Sequence, residues 1–497
     1  MGLGSLMVLG IEGRSVVGNL RIVVSWSSRW VGAILIVVCC QSGPVSAQDT
    51  PPAATKPPAA SATEATAVET PAAEALPSEA PAAQPAVVPP PKAAPVVYAE
   101  PRITEDESKK WNSTRSTKLQ SALKSSAPNT AETKELIDAG TMFIDRMTIP
   151  KNISDLHLKV IDPARRSVDG PSTNSSAKKI LLKAMADRGL ELLTQKPPHD
   201  PDVQLGIVIL LGTLNSQPPK GTATAVPYIG SAKALIAVLE NSDSPLQCRI
   251  AAATGLGRMG REAAVGVSLG DLSVVQRNEI ATSLAKALLA TEAQGNDDGK
   301  IWFRSRVAEA LGDCGVASSL TKAPVFIDAL MVTVTNPGEN VRVRASAIRA
   351  VTQLQWDGQT NFPLVLSEAV KLCAEIANQY NASVEAKRPV SANLRHANLD
   401  VYLAFRPKTD KPTNPPQAIP PTNWGFVNQT KRNGLTQYEP AVKAAYDVIL
   451  PVVNAVLVNE NRLVAISPAV IAPVEAWITA NLPSNRKPTP VSPQPVP

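Results

Sequence analysis

Four stretches of the chain repeat one spacing of apolar residues, and this spacing strongly limits the possible folds. Three of them align closely: VQLGIVILLGTLN from Val203, CRIAAATGLGRMG from Cys248 and FRSRVAEALGDCG from Phe303. A looser fourth copy, VRASAIRAVTQL, begins at Val343. Small or apolar residues follow the first residue at offsets of four, seven, eight and eleven, which places them on one side of a helix. Such a helix must cover this side with a neighbour, so the pattern predicts stacked helices.

The segments before these helices also repeat. Asp200-Pro201, Asp243-Ser244-Pro245 and Asn336-Pro337 each combine a capping side chain with a proline that suits a first helical turn. Gly residues after Met259 and Cys314 are predicted to end two of the helices. From about Ile103 to Leu482 one amphipathic segment follows another without a convincing strand pattern, so an all-α fold is expected.

The starts of the four copies, at 203, 248, 303 and 343, lie 45, 55 and 40 residues apart. Repeats of two helices in HEAT and armadillo proteins span roughly 40 to 47 residues. The longer interval predicts an insertion between Gly260 and Trp302. In DSPLQCRIAAATGLGRMG and RVAEALGDCG the chain resembles the second helix of a HEAT repeat, most clearly over 200–354. This resemblance implies an α-solenoid of stacked antiparallel helix pairs whose concave face binds proteins or peptides.

The first 47 residues are predicted to be a signal peptide. Arg21 and Arg29 precede an apolar run from Trp30 to Cys40, and small residues end the segment at Ala47. The run is about half of the ~20 apolar residues that a membrane-spanning helix needs. We expect cleavage after Ala47 and export to the bacterial periplasm, the cell envelope or the medium. An uncleaved signal anchor and lipidation at Cys39 or Cys40 are the alternatives, and only an uncleaved leader would reach a membrane.

The remaining chain divides by composition. Residues 48–102 form a Pro/Ala-rich segment without an apolar face, which predicts a disordered spacer, extended where proline is dense. Residues 103–406 are the predicted repeat body, 407–436 a Pro-rich loop or linker, 437–482 C-terminal helices packed on the body, and 483–497 a disordered Pro-rich tail.

Charge and motifs argue against several functions. The formal charge of the whole chain is +6. Without residues 1–47 the chain has 46 Lys and Arg against 42 Asp and Glu, a charge of +4. Such a small excess of positive charge does not favour a nucleic-acid partner. The three histidines, at 157, 199 and 396, lie far apart and have no ligand spacing for zinc, and no motif indicates a cofactor. Glu105-Asp106-Glu107 is expected to charge the first turn of a helix. Cys248, Cys314 and Cys373 are expected to be buried free thiols.

A non-catalytic scaffold that binds a protein or peptide is therefore the favoured function. The alternatives are a self-associating structural component of the envelope, and an enzyme with a site in 393–436, where Arg395, His396 and Asp400 are near in sequence. Five residues are candidates for partner binding: Arg249, Arg304, Arg344, Trp302 and Trp424. For the three arginines a structural role, tying adjoining repeats to a carboxylate or to helix-end carbonyls, is favoured over partner binding. Asp243 and Asn336 stand near two of them, and in the first repeat Gln204 replaces the arginine.

Overall fold

The computed structural model describes residues 97–170, 173–219, 225–264, 273–290, 297–356, 360–405, 425–432, 435–458 and 464–483. The predicted signal peptide (1–47), most of the predicted spacer (48–102), much of the loop 407–436 and all of the tail except Pro483 lie outside these residues. Trp424 lies outside them as well.

The described residues form helices joined by short connections. The helices are α1 (Glu105–Lys124), α2 (Thr130–Asp145), α3 (Pro150–Ile153), α4 (Asp162–Val168), α5 (Ser175–Thr194), α6 (Pro201–Thr213), α7 (Ala232–Glu240), α8 (Leu246–Ala264), α9 (Val274–Leu289), α10 (Asp298–Cys314), α11 (Val325–Thr335), α12 (Val341–Gln353), α13 (Phe362–Glu385), α14 (Ala392–Phe405), α15 (Phe426–Arg432), α16 (Glu439–Val458) and α17 (Pro468–Ala480). The predicted all-α class is confirmed. Two short antiparallel strands that the sequence did not predict, β1 (Asn215–Gln217) and β2 (Val226–Pro227), pair after α6.

Side-chain caps fix several helix starts. Glu105, Asp106 and Glu107 lie in the first turn of α1, as predicted, and Glu107 forms a capping box with Thr104. Asp200 caps α6, with Pro201 in its first turn. The expectation for α12 was wrong, because Asn340 and not Asn336 accepts from its first turn.

Of the two predicted terminating glycines, one is confirmed. Gly315 follows α10 with a φ of 66°, in the left-handed region where glycine has no steric penalty. The other prediction was wrong, because α8 continues through Gly260 to Ala264. A Cβ at Gly260 would lie 2.6 Å from Sγ of Cys314, so the small residue serves the contact with α10 and not a helix end.

The helices from α6 to α14 pack in two rows. In the even row, α6, α8, α10, α12 and α14, each helix packs on the next. In the odd row, α7, α9, α11 and α13, each helix likewise packs on the next, and each even helix from α8 onward packs on the odd helix before it in the chain. The four matched segments, which begin at Val203, Cys248, Phe303 and Val343, all lie in the even row.

Small residues allow close contact between even-row helices, and large apolar residues fill the remaining space. A Cβ at Gly255 of α8 would lie 2.9 Å from the Cα of Gly212 in α6, so these two backbones touch. Leucine and valine at the eighth offset of each matched segment fill the space between the rows and are fully buried: Leu211, Leu256, Leu311 and Val351. The apolar stripe in the sequence therefore corresponds to the contact between helices.

The C-terminal helices extend this packing. α16 packs on α13 and α14, and α17 packs on α13 and α16. Among the described residues, one helical segment, Thr436–Val458, has the length and a mean hydropathy, 1.7, that would suffice to cross a membrane. Its apolar side lies against α13, α14 and α17, and core helices of folded domains have the same composition.

The predicted Pro-rich loop 407–436 contains a helix, α15, which corrects that expectation for its described part. Phe426 at its start is fully buried and contacts the rings of Trp356, Phe362 and Phe405. Gln429 donates to the carbonyls of Thr352 and Leu354 at the end of α12, at 2.8 and 2.7 Å. Aromatic burial and this cap stabilise a helix too short to show its own periodicity in the sequence.

Candidate partner-binding surface

The three arginines singled out in the sequence are buried between the two rows. Nε of Arg249 donates to the carbonyl of Leu239 at 3.1 Å, Nη1 of Arg304 to that of Leu288 at 2.6 Å, and Nε of Arg344 to that of Val334 at 2.8 Å. Each carbonyl belongs to the second-last residue of α7, α9 or α11. A cation at a helix C-terminus satisfies carbonyls that lack a helical donor and interacts favourably with the helix dipole.

Each arginine also contacts the following part of the stack. Arg304 pairs with Glu339, just before α12, and Arg344 pairs with Glu375 of α13 at 2.6 Å. The Arg249 guanidinium lies 4.6 Å from the ring centroid of Phe303 in α10, a cation–π contact. These groups differ from the expected neighbours Asp243 and Asn336. The arginines nevertheless contact helix-end carbonyls and neighbouring layers, which is the structural role that the sequence favoured over partner binding.

Gln204 stands in α6 at the position of these arginines and makes a related contact. Its Nε2 donates to the carbonyl of His199 at 2.7 Å, before the helix begins. A shorter neutral side chain thus also reaches a backbone carbonyl, without a charge. The position is therefore used within the fold in all four matched helices.

Trp302 has a different environment from the three arginines. It is the fifth residue of α10, and 52% of the residue is exposed. Its neighbour Phe303 is fully buried. Of the five candidate residues, four are described, and Trp302 is the one of those four with a large exposed surface.

The residues proposed for an enzyme site differ in their exposure. Asp400 of α14 is buried, and its two carboxylate oxygens accept from Ser346 at 2.8 Å and from Arg349 at 3.0 Å, both on α12. His396 is exposed. Because both Asp400 oxygens bind α12, this carboxylate serves helix packing, and the geometry gives it no evident role in orienting His396.

A different set of residues, mostly polar and partly buried, lies on one side of the even-row helices. The set contains the residue just before the first residue of a matched segment, and the residues three, six and ten positions after that first residue. These positions lie on one side of a helix, away from the apolar stripe. We call it the polar face: Gln247, Ala251, Thr254 and Arg258 of α8, Trp302, Arg306, Glu309 and Asp313 of α10, and Arg342, Ser346, Arg349 and Gln353 of α12.

Ion pairs connect three helices across this face. Glu309 of α10 accepts from Arg306 at 2.6 Å and lies 3.6 Å from Arg342 of α12. Arg342 also lies 3.6 Å from Asp400 of α14, which pairs with Arg349. Two carboxylates therefore share three guanidinium groups along one line of helices.

A second pair extends the face toward α8. Arg261 donates through Nε and Nη2 to the two oxygens of Asp313, at 3.1 and 2.5 Å, a bidentate pair. Nearby, Nη1 of Arg258 donates to the carbonyl of Gly212 at the end of α6, at 3.1 Å. The polar face thus joins α6, α8, α10, α12 and α14.

Burial controls the acidic groups of this surface. It raises the pKa of Glu309, an effect that Arg306 opposes and Asp400 reinforces. Burial likewise raises the pKa of Asp313, against the opposing effect of Arg261. The carboxylates therefore depend on their arginines to remain charged inside the stack.

The three thiols of the body are free and buried, as expected. Burial raises the pKa of Cys248 and of Cys373 to about 12, which disfavours the reactive thiolate. No group of three or more His, Cys, Asp or Glu that could hold a metal ion occurs within the described residues.

The polar face was not identified from the sequence, although it carries a signal. Its signal lies at the offsets that complement the apolar stripe. At those offsets α10 and α12 together carry three Arg, one Glu and one Asp, which is a high density of charge for helices packed on both sides. Comparisons found no family model, no curated protein and no solved structure that matches this chain.

Proposed function

We propose that this chain is a non-catalytic scaffold of the bacterial periplasm or cell envelope that binds a protein partner on the polar face of a HEAT-like α-solenoid. The observation that carries the proposal is the two-row packing of α6 to α14, with the four matched segments side by side in one row. Parallel repeats of this kind present the same offsets of each copy on one continuous surface, which suits recognition of another chain.

The distribution of interactions supports this function over catalysis. The arginines between the rows are used by helix ends and by carboxylates of the next layer, which makes the stack rigid. The polar face carries the exposed Trp302 beside charged residues, a combination common in binding hot spots. The predicted signal peptide supports a site of action outside the cytoplasm, and the predicted spacer supports a surface held at a distance from a membrane or wall.

Affinity capture from an envelope extract tests the proposal. The mature chain, from Gln48, serves as bait, and a partner is expected at a fixed ratio to the bait. The matched control is the same chain with Trp302→Ala and Arg306→Gln, which removes exposed groups of the polar face. If parent and control retain the same proteins, or if neither retains any, the proposed function is wrong.

Self-association is the second candidate, supported by the exposed apolar residues Leu457, Val458 and Val464 around the end of α16. Light scattering separates the two functions. A scaffold for another protein gives the mass of one chain at all concentrations, whereas a structural component gives a mass that rises with concentration. Replacing Leu457 and Val458 by serine should abolish such a rise.

A further inference from the structure

Trp302 and Arg306 form an exposed pair on α10. They are four residues apart, and hence on the same side of the helix, one turn from each other. About half of Trp302 and 42% of the Arg306 side chain are exposed. Among residue types, Trp and Arg most often contribute large parts of the binding energy at protein interfaces.

Three of the five ion pairs at the polar face share one orientation. In the pair of Arg349 with Asp400 the arginine side chain is 27% exposed and the carboxylate 4%. Arg261 is 34% exposed and Asp313 9%, and Arg306 is 42% exposed and Glu309 19%. In these three pairs the carboxylate lies inside and the guanidinium lies toward solvent, whereas Arg342, 10% exposed, is more buried than its partner Glu309 at 19%.

This orientation gives the surface a positive potential beyond its formal charge. The cluster on α10, α12 and α14 holds three arginines and two carboxylates, an excess of one positive charge. A ligand approaching from solvent meets the cations first, and electrostatic complementarity then favours an acidic group.

We propose that the surface formed by Trp302, Arg306 and Arg349 binds an acidic, extended segment of a partner protein. The inference rests on the proposed function and adds to it the chemistry of the partner. Carboxylates of the segment pair with the two arginines, and an apolar side chain packs on the indole of Trp302. Neighbouring helices lie about 8–10 Å apart, so roughly six extended residues at ~3.3 Å each cross from α10 to α14.

A protein segment is favoured over a nucleic acid because the exposed cations are few and each is already paired. Binding to a phosphate backbone relies on many phosphates neutralised at once. A peptide obtains binding energy from the apolar contact with Trp302 as well as from charge. A single-stranded oligonucleotide is therefore included in the test as a competitor.

The test uses the full mature chain and a fluorescent peptide of alternating Glu and Leu, with a Lys and Leu peptide of the same length as the charge control. Fluorescence anisotropy should show binding of the Glu peptide and much weaker binding of the Lys peptide. Arg306→Gln should weaken binding roughly threefold to fivefold, and Trp302→Ala about tenfold. Lys443→Gln, an exposed change of the same charge on α16, should have no effect.

Glu309→Gln supplies a change of opposite sign. It removes a carboxylate that competes for Arg306, so affinity for the Glu peptide should rise, while the thermal melting curve shows that the variant is folded. The proposal is overturned if the parent does not prefer the Glu peptide, if Arg306→Gln and Lys443→Gln bind it equally, or if the oligonucleotide displaces the peptide at lower concentration. Capture of a partner that is lost with Trp302→Ala but insensitive to Arg306→Gln would overturn this inference and leave the proposed function standing.

Discussion

Arg304 shows how single residues connect the layers of the stack. Its guanidinium binds the end of α9 and the carboxylate of Glu339 before α12, and both side chains of this pair are nearly inaccessible to solvent. Removing one member of a buried pair leaves the other without a counter-charge. The residue is therefore important for stability, wherever the partner binds.

Arg304→Gln should lower the free energy of unfolding by about 3–5 kcal/mol, because the Glu339 carboxylate stays buried without its cation. Chemical denaturation measures this loss. The double variant Arg304→Gln with Glu339→Gln should recover part of it, since no buried charge remains unpaired. Lys443→Gln, on an exposed pair, is the matched control and should melt like the parent. An unchanged melting temperature for Arg304→Gln would refute the structural role.

Glu309 makes a pH-dependent contribution to stability. Because burial raises its pKa in the folded protein above the ordinary value of 4.5, the folded state holds the proton more tightly than the unfolded state. The parent therefore loses stability as pH rises through 4.5 and up to the folded pKa. In Glu309→Gln the side chain does not titrate, so the variant lacks this pH-dependent loss of stability.

The stability of Glu309→Gln relative to the parent should accordingly increase as pH rises from about 4 to about 7. Unfolding free energies of both proteins, measured by denaturant titration at several pH values, give this difference. A difference that is constant or decreases over the same interval would show that Arg306 and Arg342 outweigh burial at this carboxyl group.

At the scale of helices, contact between α6 and α8 depends on glycine. A Cβ at Gly255 would meet the Gly212 Cα at 2.9 Å and Leu235 Cδ1 at 3.0 Å, and a backbone atom cannot move aside alone. Gly255→Ala should therefore lower the melting temperature, although alanine favours the helix by about 1 kcal/mol, because overpacking costs roughly 1–3 kcal/mol. Gly338→Ala is the control: its nearest atom would be 3.4 Å away, so its stability should be unchanged or slightly higher. Equal melting of the two variants would show that the helices separate freely.

Removing side-chain atoms from the leucines between the rows tests the same packing in the opposite direction. Leu256→Ala and Leu311→Ala should each lose about 2–5 kcal/mol, because both side chains are fully buried and leave cavities. Leu399→Ala on α14, where the residue is 41% exposed, should lose far less. If the two buried variants unfolded at the same denaturant concentration as Leu399→Ala, the alignment of the repeats would be wrong.

The elements that sequence predicted are those whose information is local. Apolar offsets identified the buried sides of α6, α8, α10 and α12, and Asp200 and Gly315 marked a start and an end. Strands of two and three residues are too short to show alternation, and α15 depends on burial of Phe426. The polar face depends on pairs such as Arg349 with Asp400, 51 residues apart, and spacing within one segment contains no information on such pairs.

At the scale of the molecule, the two rows explain why the composition is rich in Ala, Leu and Val and poor in aromatic residues. Close helix contacts need small side chains, and aromatic rings such as Phe362 and Phe426 are concentrated where α15 and α16 cover the end of the body. The distribution of small and aromatic residues therefore follows the packing of the described helices.

The location of the protein depends on its leader, which we expect to be removed. The mature chain is expected to begin at Gln48, because the apolar run ends shortly before the small residues Val45 and Ala47, which a signal peptidase reads at alternate positions. Ala47→Arg should block cleavage, whereas Ser46→Arg, between the two recognised positions, should be processed normally. Mass spectrometry of the N-terminal peptide from periplasmic and membrane fractions distinguishes these products. Retention of Met1 or Met7 in the membrane fraction of the parent would instead show an uncleaved anchor, and a lipid-modified Cys39 or Cys40 would show attachment by acylation.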